Sequence, residues 1–149
     1  KEYKGKKINW EGEFEKVKAL QPEEMVDFAD ELHTLVCEQL GIKDPNQLQF
    51  YTAIGSVIDY GLGVDGFMEL HFDSGEVIRV TLDGTFNLYK LDHGKATGKP
   101  EADVAFAWPE ESQEENPIQW NQLIHEAATM INEEFRRKAA ELVALRQAS

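Results

Sequence analysis

The sequence predicts an α+β fold: an antiparallel sheet of three to four strands, packed by one helix near the N-terminus and a long helix at the C-terminus. Three observations carry that expectation. Apolar residues recur at helical spacing over 22–40 and 117–145, and they alternate with polar residues over 64–91. The length of 149 residues, with 42% hydrophobic content and no internal repeat, suits one domain spanning 1–149.

Residues 1–20 carry six Lys against four Glu with spaced aromatics (Tyr3, Trp10, Phe14), and read as a basic arm or edge strand. The next element is an amphipathic helix over 22–40. Pro22 sits in its first turn, Glu23 and Glu24 lie beside its positive end, Phe28, Leu32, Leu35, Val36 and Leu40 form its apolar stripe, and Gly41 stops it. Asp44-Pro45 pairs an N-cap residue with Pro at the first helical position and predicts a helix to about Tyr60, with a strand as the alternative over the β-branched stretch 52–58.

The period then changes to two. Met68, Leu70 and Phe72, then Ile78, Val80 and Leu82, then Phe86 and Leu88 predict three antiparallel strands with one buried face. A loop at Ser74-Gly75-Glu76 pairs Phe72 with Ile78 and Met68 with Leu82. A second loop at Asp83-Gly84-Thr85 pairs Leu82 with Phe86. Residues 93–116 read as a Gly- and Lys-rich loop followed by an acidic one, with 102–107 between them as a candidate fourth strand. Asn116-Pro117 opens the last helix, which carries Ile118, Ile124, Ala127, Ile131, Phe135 and Leu142.

Charge narrows the function classes. There are 28 acidic residues against 15 basic ones, a formal charge of −13, and such a surface repels phosphate backbones unless metal ions or a local basic patch intervene. A single Cys37 forms no internal disulfide, and no Cys/His spacing suits zinc, so a reducing, cytoplasmic compartment is expected. No apolar run is long enough for a membrane span. The four His residues are dispersed and read as surface or packing residues. Arg136-Arg137-Lys138 reads as a solvated face beside Glu133, Glu134 and Glu141, and Trp108 and Trp120 as half-buried packing or an interface. Gly61 to Gly66 spells G-x-G-x-x-G, yet a strand rather than a helix follows it, which removes the dinucleotide reading.

Two acids stand out. The predicted register brings Asp65 and Asp83 together at one end of the sheet, on the odd-numbered face with Glu69 and Thr85. Two converging carboxylates hold Mg²⁺ or Mn²⁺, with Glu69 or Asp59 as a third ligand. The plainer alternative is that both acids are turn residues, since Asp-Gly is a frequent hairpin signal.

The stretch from Asp59 through Gly63-Val64-Asp65-Gly66-Phe67-Met68-Glu69 to Leu82-Asp83-Gly84-Thr85 and Lys90 resembles the core of the PD-(D/E)XK, or restriction-endonuclease-like, nucleases. In that superfamily an Asp begins one strand of a hairpin and a D/E-x-K tripeptide ends the next. The resemblance implies Asp65 and Asp83 as metal-binding acids. It also exposes a departure: Thr85 stands where the family has the Lys that orients the attacking water, leaving Lys90 as the substitute, although its parity points it to the opposite face. Two functions are therefore expected from sequence. One is a small acidic interaction module (an inhibitor, adaptor or immunity-type protein) that binds a basic protein partner. The other is a metal-dependent nuclease-like protein acting on nucleic acid, active or degenerate.

Overall fold

Asn9 accepts a hydrogen bond from Gly12 N at 3.2 Å and starts helix α1 (Trp10–Ala19), which buries Phe14 and Val17. In the computed structural model the described residues are 2–3, 6–21, 27–54, 56–85 and 102–148. Residues 10–19 are thus helical rather than an arm or edge strand. Trp10, Phe14 and Val17 are spaced by four and then three, the helical period. Ahead of them, β1 (Glu2–Tyr3) and β2 (Lys6–Lys7) pair as a separate two-stranded ribbon.

Helix α2 (Asp27–Leu40) follows the predicted stripe, with 22–26 outside the described residues. The helix predicted from Asp44 is overturned. Asp44 caps only one 3₁₀ turn (Pro45–Gln47), after which the chain extends into β3 (Leu48–Thr52) and then α3 (Val57–Leu62), capped by the Ser56 hydroxyl. Strand β4 (Gly66–His71), strand β5 (Val77–Thr85), strand β6 (Val104–Ala107) and helix α4 (Pro117–Ala148) complete the order.

The sheet runs β3-β4-β5-β6. Its first three strands are antiparallel, but β6 lies parallel to β5, so the sheet is mixed. A parallel neighbour cannot be reached by a tight turn, and the chain must cross over between the two strands. Accordingly Asp83-Gly84-Thr85 is strand, not the predicted second hairpin loop. The expected strand around Phe86 and Leu88 lies outside the described residues.

The β4–β5 register differs from the predicted one by two residues: Met68 pairs with Val80 and Leu70 with Ile78. The loop is Asp73-Ser74-Gly75. Phe72 N donates to Glu76 O at 2.9 Å, and Gly75 takes the left-handed φ of 91° that closes a three-residue hairpin. A slip of two preserves which residues share a face. Met68, Ile78, Val80 and Leu82 pack on Phe28, Leu32 and Val36 of α2 and on Trp120, Ile124, Ala127, Ile131 and Phe135 of α4.

The opposite face is buried too, against expectation. Phe67 packs with Phe14, Val17 and Ile58, and the Phe14 and Phe67 rings meet edge-on at 4.9 Å. The sheet is therefore covered on both sides. Its β3 edge is blocked by side chains: the Gln21 amide accepts from Thr52 N at 2.8 Å and donates to Thr52 O at 3.0 Å, while His33 Nε2 bonds Leu48 O. At the other edge, Lys138 of α4 donates to Arg79 O and to Asp103, both at 2.6 Å. Asp103 in turn accepts from Thr81 N, which anchors the start of β6 on β5.

Candidate carboxylate site

Gly63 takes a left-handed φ of 69° to end α3, and Val64 is then buried, which delivers Asp65 to the mouth of the β4–β5 ladder. The Asp65 backbone is fixed on both sides. Its N–H donates to Leu82 O at 2.8 Å, and its carbonyl accepts from Ala53 N at 2.7 Å. The side chain has as little freedom, because Oδ2 accepts from Gly84 N at 3.0 Å. The structure brings Asp65 and Asp83 together as predicted, by hydrogen bonding between their carboxyls, and adds Asp59 from α3 as a further hydrogen-bond partner of Asp65.

Burial, then the hydrogen bond and negative charge of Asp83, pushes the Asp65 carboxyl up to about 7; the Gly84 N–H works in the other direction. A proton shared between neighbouring carboxyls relieves their repulsion. Gly84 matters for a second reason. A methyl group there would lie 1.9 Å from Trp108 Nε1, so the indole sits directly against this peptide.

Glu69, the third candidate metal ligand, has its contacts elsewhere. Its carboxylate is fully buried on the α1 side and receives Arg79 Nε at 2.9 Å, Arg79 Nη2 at 2.8 Å and Lys18 Nζ at 3.0 Å. Arg79 continues to Glu11 at 2.7 Å and lies 3.9 Å above the Phe14 ring. These contacts tie Glu69 to α1 through Lys18 and to the neighbouring strand through Arg79. Arg79 is its direct cross-strand partner in the observed register, and the predicted register hid that pairing.

Lys90 lies outside the described residues, as does the side chain of Thr85. Among the described residues no group of three or more His, Cys, Asp or Glu side chains is arranged to hold a metal ion. Carboxylate oxygens such as those of Asp65 and Asp83 are the donor type that hard divalent cations take, rather than zinc or copper. Of the histidines, His33 serves β3, and His125 bonds Asn121 O of its own helix. Cys37 is a buried core residue whose thiol is pushed up by that burial. No helix among the described residues is long and apolar enough to cross a membrane. No family model, no curated protein and no solved structure matches this chain.

Proposed function

We propose that the chain is a divalent-cation-dependent protein of the nuclease type, in which Asp65 and Asp83 hold Mg²⁺ or Mn²⁺ for a phosphodiester substrate. The observation that carries this reading is the hydrogen-bonded convergence of the two half-buried carboxyls. Like charges are brought together only where a proton or a cation offsets them. The competing explanation for Asp83, a hairpin turn, does not apply to a residue inside β5.

The order of elements supports the resemblance to PD-(D/E)XK enzymes. Asp65 immediately precedes one strand of a hairpin, and Asp83 stands two residues from the end of the next. When bound, the ion supplies charge neutralisation at phosphate and a more acidic water. Asp65 and Asp83 would hold it and Asp59 would extend the acidic wall, while the resemblance leaves Lys90 as the substitute for the water-orienting Lys that Thr85 replaces.

The test is a thermal-unfolding series with EDTA, Mg²⁺ and Mn²⁺, beside cleavage assays on single- and double-stranded DNA and RNA. Mn²⁺ at about 100 times its dissociation constant stabilises the fold by about 2.7 kcal/mol through mass action. Asp83→Ala and Asp65→Ala lose that shift. Identical midpoints in EDTA and Mn²⁺ for the wild type overturn the reading. Cleavage abolished by Asp83→Ala and by Lys90→Ala establishes the active rather than the degenerate form.

The charge of −13 favours a second reading, a module that binds a basic protein. A shallow groove between α2 and α4 sets Asp30, Glu31 and Glu38 around Leu35, Ile124 and His125. Capture of a basic partner that weakens as salt rises supports this reading, and salt-insensitive capture opposes it.

A further inference from the structure

The φ of Gly84 lies outside the left-handed region, so what demands glycine there is space rather than backbone conformation. An added methyl would meet Trp108 Nε1 at 1.9 Å and Cε2 at 2.5 Å, far inside van der Waals contact. The indole has little room to retreat. Parallel pairing sets Gly84 opposite Phe106, and the Trp108 ring is packed against Phe106 at 5.2 Å and Phe28 at 5.0 Å. The peptide it abuts is the one whose N–H donates to Asp65 Oδ2 at 3.0 Å.

We propose that Trp108 is a positioning residue for the Asp65–Asp83 pair: seated on the side-chain-free Gly84, it fixes the peptide whose N–H holds the Asp65 carboxyl against Asp83. The functional consequence rests on the cation-site reading above; the contact itself does not. Trp108 touches no ligand in this scheme and acts only through Gly84. Leucine at 108 leaves the peptide unsupported, while alanine at 84 drives peptide and indole apart. Both displace the donor from Asp65.

The experiment uses the full chain and two readouts. The first is hydrogen exchange of the Gly84 amide in EDTA, and the second is Mn²⁺ affinity from the free-ion electron paramagnetic resonance signal. In Trp108→Leu and in Gly84→Ala, Gly84 protection falls relative to the other β5 amides, and Mn²⁺ affinity drops about tenfold, the worth of one charge-assisted hydrogen bond. The double variant loses no more than the worse single one, because both remove the same contact. Phe106→Leu, in the same aromatic cluster, lowers the unfolding midpoint but costs less Gly84 protection than Trp108→Leu does, because the indole itself remains on Gly84.

Unchanged Gly84 protection in Trp108→Leu, a strictly additive double variant, or equal loss in Phe106→Leu overturns the positioning role. A wild type that binds no Mn²⁺ overturns the cation-site reading instead. In that case Gly84 exchange still decides whether Trp108 holds the peptide.

Discussion

Asp65 and Glu69 lie four residues apart on one face of one strand system, and their surroundings assign them opposite tasks. Glu69 has two cations at hydrogen-bond distance and no water access, so its charge is matched in place. Removing one member of such a buried pair strands the others, and Glu69→Ala is expected to cost about 3–5 kcal/mol in urea unfolding. Glu69→Leu combined with Arg79→Leu costs less than Glu69→Leu alone. A Glu69→Ala loss below about 1 kcal/mol, the range of an exposed pair, shows that the network is not buried in solution.

Asp65, by contrast, has Asp83, Asp59 and the Gly84 N–H as hydrogen-bond partners, and its carboxyl is pushed up to about 7. The folded state therefore holds a proton that the unfolded chain releases near pH 4. That stabilisation is complete below about pH 4 and is lost as pH rises through about 7. In EDTA, the wild type is expected to lose stability relative to Asp65→Asn between these values. A relative gain with rising pH contradicts the shared-proton arrangement. Convergence of Asp65 with Asp83 is legible in the sequence because both are odd-numbered and a slip of two in register keeps them on one face and within one cross-strand pair of each other. The Glu69–Arg79 pair needed the register itself, and the Trp108–Gly84 contact needed the parallel β5–β6 pairing, which local spacing does not encode.

Among the elements, the legible ones are those with long periodic stripes. Helices α2 and α4 and strands β4 and β5 each present several residues to one core, and their patterns fixed them in outline. Short elements are ambiguous where two periods fit. Leu48 and Tyr51 suit a helix, but Leu48, Phe50 and Thr52 suit a strand, and pairing with β4 decides for the strand. Helix α1 carries both its period and its Asn9 cap in the sequence, although its Lys-rich surroundings also suit an arm.

The β4–β5 loop shows how a turn controls register. Its αL residue is Gly75, the last of the three loop residues, and a loop over 73–75 shifts every pair by two from a loop placed one residue later. No atom lies within 4 Å of an added Gly75 Cβ, so substitution tests the backbone alone. Gly75→Ala is expected to cost about 1–2 kcal/mol in stability without changing the pairing of Glu69 with Arg79. A neutral substitution shows that the loop adopts another turn in solution.

At the scale of the whole molecule, the acids far outnumber the cations available to them. Lys16, Lys18, Arg79, Arg137, Lys138 and Arg146 are already engaged in ion pairs, while 28 acidic residues face 15 basic ones. The excess carboxylates repel one another across the surface, and compaction raises that cost. Local pairs respond weakly to salt when buried, as at Glu69, whereas long-range repulsion falls once the screening length drops from about 30 Å at 0.01 M to about 8 Å at 0.15 M. The unfolding midpoint in EDTA is therefore expected to rise over that range of NaCl. The Glu69→Leu, Arg79→Leu variant rises by a similar amount, because its missing pair is shielded from solvent ions. A midpoint that falls with salt places the balance in the surface pairs instead. A rise confined to divalent chloride, and absent in Asp83→Ala, traces the effect to the carboxylate site and not to the surface as a whole.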